Sequence, residues 1–216
     1  FTNADIEFAT AQLTAMGLRV SFGRHVMECN EHLTAPISSR VEDLHAAFAD
    51  PSVKGVLAVT GGIGAIQILD QLDYGLIASH PKVLCCYSDI AHVSNAILAK
   101  TGLVTYYGPN FGTFMMCKGG EYTRRWFHEY LFESQSLRAV PASEWSDDAW
   151  AKDQDNRTFL PNEGYWAVQP GTAEGTVIGG SAYCLNMLQG SEYFPWAADT
   201  ILFLESPGEG KASLMA

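Results

Sequence analysis

The chain has 216 residues, 47% of them apolar and 17% charged, which suits one large domain or two small ones and argues against disorder. Its formal charge of −11 argues against nucleic acid and anionic membrane surfaces as main partners, because phosphate binding needs clustered Lys and Arg. A small substrate stays open, since a local pocket can oppose the global sign. No apolar stretch approaches the roughly 20 residues that span a bilayer. Cys29, Cys85, Cys86, Cys117 and Cys184 show no CxxC or Cys/His metal spacing, so no metal is expected. An odd cysteine count without a disulfide framework favours a reducing compartment, the cytoplasm. Phe1-Thr-Asn-Ala-Asp5 has no initiator Met and no signal pattern, and a helix pattern is beginning at Lys211–Ala216, so the sequence reads as a fragment at both ends.

Along the chain, Ile6, Ala9, Leu13 and Met16 give a helix over 3–16, with Gly17 as its C-cap. Leu18–Phe22 reads as a short strand. Ile37, Val41, Leu44 and Phe48 give a helix over 37–49 closed by Asp50-Pro51. There follow a strand at 55–60, a helix at 64–72, a strand at 83–87, a helix at 89–100, a strand at 103–107 and a helix at 121–133. Residues 138–172 are rich in Pro, Asp, Asn and Trp and read as a linker or a loop over the site. Strands at 171–178 and 200–204, with a short helix near 183–189, open a second domain. Alternating strands and helices predict a parallel sheet with crossover helices, whose ligands sit at the carboxyl ends of the strands. The expected organisation is a Rossmann- or flavodoxin-like α/β domain over 1–137, the linker or lid over 138–172, and the truncated start of a second domain over 173–216.

The most informative segment is Gly55-Val-Leu-Ala-Val-Thr-Gly61-Gly62-Ile63-Gly64-Ala65-Ile66, a strand that turns sharply into a helix. Such a turn exposes one side chain and aims unpaired N–H groups at a ligand. In hydrolases the exposed residue is a Ser or Cys nucleophile. The equivalent position here is Ala65, which cannot attack. Gly62 lets backbone approach a substrate carbonyl, and the N–H groups of Gly62 and Ile66 are candidates for an oxyanion hole. Two other readings stand beside this one. As a dinucleotide fingerprint, Gly62-x-Gly64 lacks its third glycine, since Gln67 stands there, and a glycine pair also serves a tight turn that only packs.

The segment Gly61-Gly62-Ile63-Gly64-Ala65 with Leu69-Asp-Gln-Leu72-Asp73-Tyr74 resembles the elbow of the LD-carboxypeptidase family of serine peptidases. Tyr87-Ser88-Asp89, Lys100-Thr-Gly-Leu-Val-Thr-Tyr-Tyr-Gly-Pro109, Glu174–Gly180, Gly190-Ser-Glu-Tyr-Phe-Pro195 and Ile201–Glu205 are similar to further motifs of that family, in the same order. Tyr-Tyr-Gly-Pro and Gly-Ser-Glu-Tyr-Phe-Pro are closer to its microcin C immunity branch than to its murein-recycling branch. The resemblance implies a second, mainly β domain, a homodimer, no cofactor, and a Ser–His–Glu triad. It also implies cleavage of the amide joining an acidic amino acid to a nucleotide-like group, with an aromatic side chain stacked on the base. Carried onto this sequence, the nucleophile position is Ala65 and the triad carboxylate is Glu205. Substrate binding falls to Gly61, Ser88, Asp89 and Trp150, and the substrate is a small aminoacyl-nucleotide or a peptide.

The triad histidine of the family lies in a segment this sequence does not contain. His25, His32, His45, His80 and His128 read as surface or boundary residues, and His92 as a packed, hydrogen-bonded one. Asp89 has a sufficient structural role as the cap of its helix. Trp145 and Trp166, like Trp150, equally serve to anchor the irregular segment. Two accounts of Ala65 compete: a serine replaced so that substrate binds without being cleaved, or a relative that binds and never cleaves.

Overall fold

A computed structural model describes residues 1–31, 34–133 and 136–206. His32 and the helix pattern expected at 211–216 lie outside the described residues. The chain forms two compact units that interleave in sequence, Phe1–Val20 with Phe111–Thr172 and Ser21–Asn110 with Ala173–Ala216.

In the first unit, helix α1 (Asn3–Ala15) starts in a capping box. The Thr2 hydroxyl accepts the Asp5 N–H at 3.2 Å and the Asp5 carboxylate accepts the Thr2 N–H at 2.8 Å, which satisfies two otherwise orphaned donors. Ala9 and Leu13 are buried on its inner face, and α1 packs on a 3₁₀ segment, Phe111–Met115. Two further helices, α2 (Ile37–Ala49) and α3 (Tyr74–Ser79), belong to the second unit.

The second unit holds a parallel sheet of β1 (Gly55–Leu57), β2 (Val83–Cys86) and β3 (Tyr106–Tyr107) in that spatial order. Gly55 pairs with Val83 and Cys85 with Tyr106. A 3₁₀ helix (Ala65–Gln71) and α3 make the first crossover, and α4 (Ala91–Thr101) the second. Back in the first unit, α5 (Glu121–Phe132) sets Phe127 edge-on to Phe114 with centroids 5.0 Å apart. A short hairpin of β4 (Glu144–Trp145) and β5 (Leu160–Pro161) lies inside the stretch expected to be irregular. The chain returns to the second unit as β6 (Thr176–Ser181), α6 (Ala182–Leu188) and β7 (Thr200–Glu205), and β6 and β7 pair in parallel.

This is the α/β architecture with parallel sheets that the patterning implies. Phe48, Leu69, Ile77, Leu84, Ile97 and Leu188 form the centre of the second unit's core. Each side chain of this size, fully buried, contributes about 1.5–3 kcal/mol. Three local expectations are corrected. Leu18–Phe22 forms no strand. The helix expected at 64–72 is a 3₁₀ helix, entered through Gly64 in the left-handed region at φ +95°. The strand expected at 55–60 leaves the ladder after Leu57, with only the Ala58 N–H still reaching Cys85 O at 3.2 Å.

Among the described residues, no helix is long and apolar enough to cross a membrane.

Candidate functional site

The site is assembled from three strand exits of the second unit. The first is the turn after β1. Gly61 is required there by a close approach: a Cβ on it would stand 2.7 Å from Ser88 Cβ, at the exit of β2. Arg40, on α2, braces the far side of the turn. Its Nη1 donates to Gly64 O and its Nη2 to Gln67 Oε1, both at 2.9 Å. Burial lowers the Arg40 pKa against the pull of Asp89.

The turn does not present position 65 to solvent. Ala65 is 3% exposed and packs with Ile68 and Leu69, while Ile63 is 81% exposed. A methyl group at the first position of the 3₁₀ helix turns into the core, and the glycines on either side of Ile63 lift that residue out. Gly62 is exposed and Ile66 half-buried.

The second exit is Tyr87-Ser88-Asp89. Ser88 adopts φ +64°, a left-handed conformation that costs a residue with a Cβ of order 1–2 kcal/mol. Its N–H donates to Tyr107 Oη at 3.0 Å. Asp89 does not cap its own helix, since neither the Ser88–Ile90 3₁₀ segment nor α4 has a side-chain cap bond. Its carboxylate is turned to the elbow instead, where Oδ2 accepts the Ala65 N–H at 2.7 Å. The close packing of Gly61 on Ser88 brings the two within reach.

The other oxygen, Oδ1, lies 3.3 Å from His92 Nδ1, which also meets the Asp89 carbonyl at 2.9 Å. Burial raises the Asp89 pKa, but the bonds from His92 and from the Ala65 and Gly64 N–H groups outweigh it and hold the carboxyl below its ordinary value. Burial likewise works against charge on His92. The hydrogen bond to Asp89 and the neighbouring Cys184 overcome it and push the imidazole up to about 9. At neutral pH this is a buried carboxylate–imidazolium pair. A proton-loaded, locked imidazole is no base for position 65, which agrees with the packed role read from the sequence.

The third exit is the end of β7. Glu205 pairs in register with Ser181, and its Oε1 accepts the Tyr107 hydroxyl at 2.5 Å. Tyr107 thus accepts from Ser88 and donates to Glu205, tying β2, β3 and β7 together. Burial and then the Glu205 carboxylate raise its pKa. Gly180 of β6 lets it fit, and Gly179 lets β7 approach. A Cβ on Gly180 would stand 2.6 Å from Tyr107 Cε2, and one on Gly179 would stand 1.8 Å from Phe203 O. Asn95 on α4 fastens β6 from the other side, donating to Gly179 O at 2.8 Å.

Gly61 thus packs on Ser88, Asp89 holds the Ala65 N–H, and Tyr107 joins Ser88 to Glu205. Trp150 belongs to the first unit, where it is half-buried and its backbone N–H donates to Asp148 O at 2.7 Å. In that unit Trp145, Tyr165 and Trp166 line an open groove of about 560 Å³. Sequence reading missed Tyr107, Arg40 and Cys184. Tyr107 had a signal, since it ends a parallel strand at the carboxyl edge of the sheet, where ligands bind.

Residues 2–108 match the LD-carboxypeptidase N-terminal domain, and the chain belongs to the LD-carboxypeptidase family. It is 52% identical over 202 residues to the YocD protein of Bacillus subtilis (strain 168), covering 94% of this chain and 62% of that one. The crystal structure of an MccF-like protein from Bacillus anthracis (strain Ames) superposes with a TM-score of 0.93 at 46% identity, over 95% of this chain and 62% of that chain. The microcin C7 self-immunity protein MccF of Escherichia coli is 28% identical over 218 residues, covering 94% of this chain and 61% of its own length. A structure of MccF with glutamyl sulfamoyl guanosine superposes with a TM-score of 0.83 at 26% identity, over 97% of this chain and 65% of that chain. The chain thus spans about three-fifths of the length of the curated relatives it matches.

Proposed function

We propose that the protein is a carboxypeptidase-type amide hydrolase of the microcin C immunity branch, with Ala65 at the position of the nucleophile. Its substrate is then the amide joining an acidic amino acid to a nucleotide-like group, and with Ala65 in place it binds that substrate without cleaving it. The observation that carries the reading is the convergence of the three strand exits: Asp89 holds the Ala65 N–H while Tyr107 joins Ser88 to Glu205. The structural likeness to MccF bound to glutamyl sulfamoyl guanosine supports the substrate class.

With serine at position 65, the hydroxyl would attack the substrate carbonyl, which requires it to turn outward from the packing on Ile68 and Leu69 that buries the Ala65 methyl group. A histidine from the C-terminal part that longer relatives carry would take the proton, and Glu205 would orient that imidazole and stabilise its charge. The Gly62 and Ile66 N–H groups would receive the oxyanion, and water would then release the acyl-enzyme. Gly61, Ser88 and Asp89 would shape the pocket, and Trp150 would stack on the base. Residues 1–137 would act as the elbow-bearing domain, 138–172 as a lid and 173–216 as the opening of the second domain, in a cytoplasmic homodimer. A murein LD-peptide is the alternative substrate, favoured by the 36% identity over 105 residues to the murein tetrapeptide carboxypeptidase of Pseudomonas aeruginosa.

The test compares the protein with its Ala65→Ser variant on glutamyl-sulfamoyl-adenosine and on a murein tetrapeptide, following cleavage by mass and binding by calorimetry. Cleavage by the serine form alone supports the hydrolase reading, and the preferred substrate decides the branch. Binding of the nucleotide analogue without cleavage by either form makes the protein a non-catalytic binder. Neither turnover nor binding overturns the proposal.

A further inference from the structure

The Asp89–His92 pair has a third neighbour that the hydrolase reading does not use. Cys184, on α6, brings its thiol beside the imidazole, and one ligand atom from each of Asp89, His92 and Cys184 lies within 4.8 Å of the others. His92 is 1% exposed and Cys184 3%. The Cys184 thiol also makes long contacts, at 3.7 Å to Ser88 O and 3.9 Å to Asp89 O. Three metal-ligating groups of different chemistry thus face one another in the interior of the second unit, with Cys184 92 residues beyond His92 in sequence. We propose that Asp89, His92 and Cys184 form a binding site for a borderline-soft divalent cation of the zinc type.

The donor set selects the class of ion. One imidazole nitrogen, one thiolate and one carboxylate oxygen suit Zn²⁺, whereas Mg²⁺ and Ca²⁺ take oxygen ligands. Spacing agrees: with ligand bonds of about 2.0–2.3 Å, the donors of a tetrahedral zinc site stand roughly 3.3–3.6 Å apart. The Asp89 Oδ1 to His92 Nδ1 separation of 3.3 Å already has that value. Cys184 has to close by at most about 1–1.5 Å, within reach of a side-chain adjustment at the start of a short helix. Binding would displace protons from the imidazolium nitrogen and the thiol, so that the ion's charge replaces theirs. Three protein ligands leave a fourth position for water.

The site would also act on the elbow. Asp89 uses one oxygen for the cluster and the other for the Ala65 N–H, so a cation on Oδ1 fixes the carboxylate that holds the turn. It would cross-link the β2–α4 corner to α6, joining two segments of the second unit that now meet by packing and hydrogen bonds.

The test uses the protein stripped with a chelator and titrated with Zn²⁺ and then Co²⁺. Bound metal is measured by elemental analysis and the Co²⁺ form by absorption. One equivalent of tightly held metal is expected, with a thiolate-to-cobalt charge-transfer band and the visible bands of a tetrahedral site. Cys184→Ser should remove the charge-transfer band and weaken Zn²⁺ binding by tenfold or more. The double variant Cys29→Ser/Cys117→Ser, which removes the two exposed thiols, should change neither. No uptake by the unaltered protein, or Co²⁺ bound without a thiolate band, overturns the proposal whether or not the variants fold. Uptake that survives Cys184→Ser and disappears with the exposed thiols overturns it as well.

Discussion

The contact between Gly61 and Ser88 can be tested by putting a methyl group where the structure leaves no room. In Gly61→Ala the new Cβ would stand 2.7 Å from Ser88 Cβ and 2.8 Å from Ser88 Oγ. Ser88 Cβ is attached directly to backbone, so the clash is relieved only by parting the ends of β1 and β2. Overpacking of this kind costs about 1–3 kcal/mol. Ser88→Gly removes the obstructing atoms and the strain of φ +64° together. The strain relief, of order 1–2 kcal/mol, is offset by the roughly 0.5–1 kcal/mol of chain entropy that a glycine adds to the unfolded state, together with the loss of serine's own contacts. Alone, Ser88→Gly should therefore be close to neutral. In the double variant the nearest remaining atom to the added methyl group is Asp89 N, at 3.8 Å, an ordinary contact. Gly61→Ala should then cost little in the Ser88→Gly background, giving a coupling of about 1–3 kcal/mol, well above what independent sites show. Urea midpoints by circular dichroism for the four proteins measure it. Equal destabilisation by Gly61→Ala in both backgrounds, or no destabilisation in either, would refute the packing argument.

Tyr107→Phe should lower stability by about 1–3 kcal/mol, because it strands the Ser88 N–H and the Glu205 carboxylate at once, and thermal melts would read it. Gly179→Ala should cost about 3 kcal/mol or more and disrupt the β6–β7 pairing, since its Cβ would be driven onto Phe203 O at a φ of +131°; amide exchange across β7 would report it. The His25 imidazole, bonded first of all to Glu28, titrates above its ordinary value of 6.5. Its stabilising contact is complete below that value and lost as pH rises through the raised one, so Glu28→Gln should move the His25 titration, followed by NMR, downward. Burial pushes both Cys85 and Cys86 from 9.0 up to about 12. In the folded protein iodoacetamide should therefore alkylate Cys29 and Cys117 first, with Cys85 and Cys86 slower by roughly a thousandfold or more, and urea should abolish the difference.

The sheet was legible because apolar strand runs alternate with helical patterns, which implies parallel strands joined by crossover helices. What sequence could not supply were lengths and partners. The 64–72 segment has helical periodicity, but the left-handed Gly64 starts it as a 3₁₀ helix and draws Ala65 inward. The six residues of α3 are too few for a periodic signal, and Leu18–Phe22 has strand composition but joins no ladder. At the site, Asp89 looked like a cap because local sequence shows only its own helix. Its partner across the turn, Ala65 N–H, becomes visible only when β1 and β2 lie side by side. Tyr107 meeting Glu205, 98 residues on, and Cys184 meeting His92 are products of topology that no local pattern encodes.

The placement of Glu205 at the end of a paired strand has one further consequence. A strand register has no halfway settings: a slip of one residue turns every side chain of β7 to the opposite face. Phe203 and Glu205 share the face that meets Tyr107, and the pairing of Gly179 with Phe203 and of Ser181 with Glu205 holds them there. The carboxylate is thus delivered digitally, either within reach of the phenol or on the other side of the strand. A β7 variant with half the wild-type occupancy of that contact would be a mixture of two registers in slow exchange. Spectroscopy on it should resolve two sets of signals rather than one shifted set.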